Sequence, residues 1–180
     1  MRVLVTGATG FLGRAVVPAL ARTGHEVVAL IRDPAATVRD AHSTVLGGLG
    51  DGTGLVSLPD VDGVCHLAAV ARARDSPADP LRYWRVNAGG TLALLEALNR
   101  QPRPPVIVLA STCAVYGTPE RQLITEDVPT CPANPYGASK LAADHMAAGL
   151  AATGAIGAIS LRALNLAGSA AGKPIGTPPG

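Results

Sequence analysis

The chain has 180 residues, of which 48% are hydrophobic, 16% charged and only 3% aromatic, with a formal net charge of +2. That size and apolar share suit one domain with a core built from Ala, Val and Leu, and exclude a disordered-type composition. The basic residues are spread along the chain rather than clustered, which argues against nucleic acid as a partner.

Val3-Leu4-Val5 is a short apolar run with β-branched residues, the mark of a buried parallel strand. Thr6 and the spacing Gly7-x-x-Gly10-x-x-Gly13 follow, and a helical run from Phe11 to Thr23 then ends at Gly24. A sharp strand-to-helix turn favours residues without a Cβ, and their absence lets backbone N–H groups approach a pyrophosphate at the helix N-terminus. Gly13 would let the helix pack close to the strand. Pro18 lies inside the helical run, where it costs ~3 kcal/mol, so a kink or a shifted start is expected.

Residues 25–31 read as the second strand. Arg32 just beyond it is placed for a ribose 2′-phosphate, with Arg14 in reach to assist, which favours NADP over NAD. The alternative is a solvated charge at the strand end, with Asp33 capping a short polar helix over 34–42. Thr44-Val45-Leu46 is a third strand. Residues 47–54, with five glycines, form a loop in which Asp51 could cap the next turn.

A fourth strand is expected over 63–69, with His66 a satisfied core histidine and small residues after it that leave room for a ligand. Next come a polar loop over 71–80 and a helix over 81–99 with Leu92, Leu95 and Leu98 on its buried face. Residues 106–110 read as a fifth strand, the proline-rich stretch 118–135 as a loop over the site, 136–152 as a helix and 155–165 as a sixth strand. The reading thus divides the chain into a domain over 1–166 and a Gly/Pro-rich tail over 167–180. Strands alternating with helices predict an α/β fold, a doubly wound parallel sheet of six strands with helices on both faces.

Cys65, Cys113 and Cys131 are far apart and form no CxxC pair, which argues against a metal site and for a reducing compartment. No leader-like segment and no apolar run of membrane length are visible. A cytoplasmic location with no membrane partner is therefore expected.

Chemistry concentrates in Tyr136-Gly-Ala-Ser-Lys140, which puts a phenol and an ammonium at i and i+4 on one helix face. A nearby cation favours the phenolate and is expected to lower the Tyr136 pKa toward acid/base work. Thr112 lies just past the predicted end of the fifth strand, at the sheet edge where ligands bind in open α/β folds. Its hydroxyl can hydrogen-bond the substrate oxygen that Tyr136 protonates or deprotonates.

The motifs Thr6-Gly-Ala-Thr-Gly-Phe-Leu-Gly13, His66-Leu-Ala-Ala69, Val86-Asn-Ala-Gly-Gly-Thr91 and Ser111-Thr-Cys-Ala-Val-Tyr-Gly117 come in one order with Tyr136-Gly-Ala-Ser-Lys140 and Leu161-Arg-Ala-Leu-Asn165. Together they resemble the extended branch of the short-chain dehydrogenase/reductase superfamily, with its Rossmann fold and its NAD(P)-dependent sugar epimerases, dehydratases and ketoreductases. The resemblance implies a catalytic set of Thr112, Tyr136 and Lys140, with Lys140 also on the nicotinamide ribose. Cofactor-side residues would be Gly7, Thr9, Gly10, Phe11, Leu12, Gly13, Arg32, Leu67, Ala68, Ala69 and Asn87. Thr112, Cys113 and Asn165 would face the substrate. It also implies a homodimer paired through helices 81–99 and 136–152.

Four departures stand out. Gly48 occupies the place of an Asp that binds the adenine amino group. Cys113-Ala114 replace the Asp-Glu pair of sugar dehydratases, which makes a 4,6-dehydratase unexpected. Ile31 replaces the strand-end acid of NAD-specific members. The chain also stops after the sixth strand, short of the substrate lobe of extended members. The leading expectation is an oxidoreductase or epimerase-type enzyme that transfers hydride at a carbonyl/alcohol carbon of a sugar-like or small biosynthetic substrate. The alternative is a shortened relative recruited to non-redox work, as a cyclase, an isomerase or a cofactor-binding module.

Overall fold

The alternation of Val3, Leu4 and Val5 sets the layering, because successive side chains of a strand point to opposite faces. In the computed structural model, which describes residues 1–50, 55–120 and 123–168, Leu4 joins Val28, Val64, Leu94, Leu98, Ile107, Leu109, Ala143 and Ala147 in one core layer. Val3 and Val5 join Val17, Val27, Ala29 and Ile31 in the other. Leu94, Leu98, Ile107 and Leu109 are fully buried, and each contributes roughly 1.5–3 kcal/mol.

Six strands form one parallel sheet: β1 (Arg2–Thr6), β2 (Glu26–Ile31), β3 (Ser43–Leu46), β4 (Gly63–His66), β5 (Val106–Thr112) and β6 (Gly157–Ala163). Their order is β3-β2-β1-β4-β5-β6. Helix α1 (Gly13–Arg22) covers the face of Val3 and Val5. The short helix α2 (Pro80–Tyr83) leads through a π-helical segment, Trp84–Gly89, into α3 (Gly90–Asn99). Helices α3 and α4 (Pro135–Ala152) cover the face of Leu4. Helices therefore lie on both faces, and the doubly wound expectation holds.

Several boundaries differ from the sequence reading. Residues 34–42 form turns, not a helix. Asp33 does act as a local cap, accepting the Ala35 N–H at 2.9 Å, but Asp40 has φ +64° and no helix follows. His42 instead ties this segment to β2, its N–H donating to the Val27 carbonyl at 2.8 Å and its Nδ1 accepting the Val27 N–H at 3.0 Å. The first helix starts at Gly13 rather than Phe11 and continues through Pro18. The carbonyl that Pro18 leaves without its helical donor belongs to exposed Arg14, where water can serve it. β4 stops at His66 instead of continuing to Ala69, because Leu67 N–H turns to the Thr6 carbonyl (3.2 Å) and Ala68 N–H to the Thr6 hydroxyl (3.2 Å). β5 runs on to Thr112, which is its last residue. The expected cap at Asp51 and the tail beyond Gly168 lie outside the described residues.

On the side of β5 and β6 away from α4, Val106, Ile159 and Leu161 remain 42%, 51% and 55% exposed. Among the described residues, no helix is long and apolar enough to cross a membrane.

Candidate functional site

A cleft of about 360 Å³ lies across the carboxyl ends of β1, β2 and β4. Gly7, Thr9, Gly10, Arg32, Leu67, Ala68 and Ala69, expected on the cofactor side, line it. So do Leu30, Gly47, Leu49, Gly50, Val70, Arg82 and Val86, which the sequence reading did not single out. Strand order reverses between β1 and β4, and such a switch point is where open α/β sheets bind ligands.

The turn into α1 is built for close approach. Gly7 has φ +69°, and a Cβ there would sit 2.7 Å from the Ala68 backbone nitrogen. The Gly10 N–H closes the turn on the Gly7 carbonyl at 2.9 Å. Phe11 and Leu12 are half-buried and Gly13 is buried at the start of α1, and none of the three lines the cleft. The floor of small residues and open backbone fits a pyrophosphate.

Charge in the cleft is positive. Arg32 and Arg82 line it, and no carboxylate does among the described residues. Arg14 does not join them: its Nε donates to the Thr9 carbonyl at 3.1 Å. Gly48 is buried just behind the lining residues Gly47 and Leu49.

Beneath the cleft runs a directed chain of hydrogen bonds. Thr91 Oγ1 donates to the Asn87 carbonyl at 2.6 Å, so it must accept from His66 Nε2 at 2.9 Å. His66 Nδ1 then accepts the Thr6 hydroxyl at 2.8 Å, and Thr6 Oγ1 accepts the Ala68 N–H. Burial, with a smaller push from Lys140, lowers the His66 pKa to about 3, so the ring is neutral.

Asn87 is 1% exposed on the π-helical segment. Its Oδ1 accepts the Val70 N–H at 2.8 Å, and its Nδ2 donates to the Val70 carbonyl (3.2 Å) and to Ser139 Oγ (3.1 Å). One amide thereby joins the cleft wall to α4. It does not line the cleft itself.

Thr112 and Tyr136 come together where β5 ends against the start of α4, and Lys140 follows one helical turn on. Asn134 caps α4 by accepting the Gly137 N–H at 2.9 Å, and Pro135 supplies the first helical residue. A Cβ on Gly137 would lie 2.6 Å from the Ala114 carbonyl oxygen, so only glycine lets the helix start this close to the turn after Thr112. Thr112 Oγ1 accepts the Ala114 N–H at 3.2 Å, and its hydroxyl lies near enough to the Tyr136 phenol to favour the phenolate. The Tyr83 ring stands edge-on to Tyr136 with centroids 6.3 Å apart.

The expected lowering of the Tyr136 pKa is not found. Burial pushes the phenol above its usual value, the nearby Thr112 hydroxyl opposes this, and Lys140 is not among the groups that act on it. Lys140, 2% exposed, is itself pushed down by burial, with Asp144 acting in the opposite sense.

A larger groove of about 1150 Å³ adjoins the site, lined by Cys113, Tyr116, Arg162, Leu161 and Leu164 among others. Asn165 lies exposed beyond β6 and does not line it. Among the described residues no group of three His, Cys, Asp or Glu could hold a metal ion.

Residues 3–177 match the NAD dependent epimerase/dehydratase family. The chain belongs to that family. A UDP-glucose 4-epimerase of Streptomyces lividans is 42% identical over 173 residues, covering 92% of this chain and 52% of that protein. One from Azospirillum brasilense is 39% identical over 175 residues, covering 93% and 50%. The crystal structure of UDP-glucose 4-epimerase from Brucella ovis in complex with NAD superposes with a TM-score of 0.86 at 34% identity, covering 94% of this chain and 53% of that one. The chain thus spans about half the length of these members of the NAD dependent epimerase/dehydratase family.

Of the residues missed by the sequence reading, Val86 and Arg82 enter the cleft from a helix remote in sequence, and no local pattern marks them. Asp144 carried a signal, standing four residues after Lys140 on the same helix.

Proposed function

We propose that this chain forms the dinucleotide-binding and proton-transferring half of an epimerase-type enzyme that moves hydride at a carbonyl/alcohol carbon of a sugar-like substrate. The observation that carries this is the Thr112 hydroxyl at the end of β5 beside the Tyr136 phenol, with buried Lys140 one helical turn on. The cleft fits the dinucleotide by its glycine turn, where a Cβ on Gly7 would strike the Ala68 backbone, and by its positive lining.

Tyr136 would hand its phenolic proton to, or take one from, the substrate oxygen, while the Thr112 hydroxyl orients that oxygen and steadies the phenolate. Lys140 would offer its ammonium to the ribose next to the reacting ring. The bound dinucleotide would supply a hydride acceptor. Cys113, on the groove wall next to Thr112, would face the substrate, with Asn165 at the end of β6. The names of the relatives suggest a nucleotide-sugar as the substrate class.

Arg32 at the cleft rim favours a 2′-phosphate, so NADP is proposed over NAD, although NAD is the cofactor named for the Brucella ovis structure. The helices over 80–99 and 135–152 are the proposed homodimer face, with Leu92 46% exposed on α3. Three free cysteines fit a reducing, cytoplasmic setting.

Titration calorimetry with NADP⁺ and NAD⁺, on the wild type and Tyr136→Phe, tests the core of this reading. Both proteins are expected to bind dinucleotide alike, and only the wild type to turn over UDP-sugars or small ketones. Absence of binding to either nucleotide, or a fully active Tyr136→Phe, overturns it.

A further inference from the structure

The helix that carries Tyr136 and Lys140 bears a second buried charge one turn further along, which the proposed reaction does not use. Asp144 is 4% exposed, between α4 and the β5–β6 pair. Its Oδ2 accepts the Ser111 hydroxyl at 2.9 Å and Arg162 Nε at 3.2 Å. Ser111 immediately precedes Thr112 on β5, and Arg162 stands beside Ser111 in register on β6. Arg162 is steadied in turn, donating to the Tyr116 hydroxyl at 2.8 Å with its guanidinium 5.1 Å from that ring's centroid.

The other oxygen, Oδ1, is buried with no hydrogen-bond partner among the described residues. Buried polar atoms are nearly always paired, and an orphaned carboxylate oxygen is costly. Lys140 lies at i−4, the spacing that puts two side chains on one helix face, and its ammonium stands more than 4 Å from the carboxylate, so the two act on each other through the interior rather than in a contact pair. It is 2% exposed, in surroundings that penalise its charge.

The titratable and charged groups on α4 are Tyr136, Asp144 and His145; those on the elements packed around it are Arg74 and Asp75 before α2, Arg82 and Tyr83 on α2, Arg85 on the π-helical segment, Glu96 on α3, Cys113 and Tyr116 after β5, and Arg162 on β6, with the neutral His66 on β4. Asp75 and Glu96 are exposed, so Asp144 is the buried carboxylate among them.

We propose that Asp144 is the positioning residue of the site: it holds the Lys140 ammonium in its charged form inside the protein and, through Ser111, fixes the end of β5 against the helix that carries Tyr136. One carboxylate then sets both the charge of Lys140 and the approach of Thr112 to Tyr136. Arg162, paired with Oδ2, is its counter-ion, which lets a lone carboxylate stay buried.

The proposal rests on Lys140 being the cation of the site. Its test uses neither cofactor nor substrate, so its failure is separable from failure of the functional reading. The chain contains two lysines, Lys140 and Lys173. Lysine labelled with ¹³C at Cε therefore gives two resonances in the full chain, assigned with Lys173→Arg.

In Asp144→Asn, which keeps the size of the side chain, the Lys140 midpoint is expected to fall by about one pH unit or more, a tenfold loss of the charged form at a given pH above it. Asp144→Glu is expected to restore it. A merely structural role would lower the melting temperature of Asp144→Asn and leave the midpoint where it was, and that result overturns the proposal. Should Asp144→Asn not fold, the unaltered chain decides. The ¹³Cγ signal of Asp144 is expected to show an inflection at the pH where Lys140 loses its proton, and a flat response there overturns the proposal.

Discussion

Thr6 donates its hydroxyl proton to His66 Nδ1 across 2.8 Å, and this bond fixes the histidine as a neutral Nε2–H tautomer between two strands. The ring is 1% exposed, and its pKa is depressed to about 3 from a usual value near 6.5. Below the usual value the unfolded chain takes up a proton that the folded chain refuses. Stability contributed by neutral His66 is thus present in full above about pH 6.5 and lost as pH falls toward about 3. The slope from this one group is ~1.4 kcal/mol per pH unit near pH 5. Urea unfolding at pH 7 and pH 5 should show a loss of ~2 kcal/mol from this group, which His66→Gln should remove.

Asn87 makes three side-chain hydrogen bonds in a buried place, two of them to the backbone of Val70. Asn87→Ala strands the Val70 groups and loosens Ser139 on α4. A loss of roughly 2–4 kcal/mol is expected in urea unfolding. Asn87→Asp should cost at least as much, because a carboxylate cannot donate to the Val70 carbonyl.

Gly7→Ala meets two obstacles, a φ of +69° and an Ala68 nitrogen 2.7 Å from the new Cβ. Left-handed backbone alone costs an alanine roughly 1–2 kcal/mol. The close contact falls on the cleft wall. The expected outcome is a lower melting temperature together with a tenfold or greater loss of dinucleotide affinity, read by calorimetry.

The Tyr136 phenol should ionise above its ordinary value in the free protein, since burial outweighs the influence of the Thr112 hydroxyl. Thr112→Val removes the opposing influence and should move the ionisation higher still. The chain has three tyrosines, so an ultraviolet absorbance titration of the wild type against Tyr136→Phe isolates this one. A phenol that ionises below its usual value would contradict the burial argument.

Arg32→Ala is expected to reduce NADP⁺ affinity about tenfold or more and to leave NAD⁺ affinity within a factor of two or three, since one charge-assisted contact to a phosphate is at stake. Equal losses for both nucleotides would assign Arg32 to general electrostatics instead.

The sheet was legible because its strands are short apolar runs with β-branched residues, and a buried parallel strand leaves little else it could be. The glycine turn and the i, i+4 pair Tyr136 and Lys140 were legible for the same local reason. What escaped was decided at a distance. Residues 34–42 look helical in isolation, yet His42 gains two backbone bonds to Val27 by leaving the helix. The π-helical segment around Asn87 carries no periodic signature, because its reason is a partner at Val70. The direction of the Tyr136 shift depends on how deeply the ring is buried, and spacing along a helix does not report burial.

Val106, Ile159 and Leu161 are exposed apolar residues on one side of β5 and β6. They lie beside β6, a seven-residue strand at the sheet margin, whereas the opposite margin is closed by the four-residue β3. A long margin strand next to oily side chains is a template for adding another strand. Handled as these 180 residues alone, the protein should bind hydrophobic dyes while fully folded and self-associate as its concentration rises. Charged replacements at Ile159 and Leu161 should suppress both without touching the nucleotide cleft.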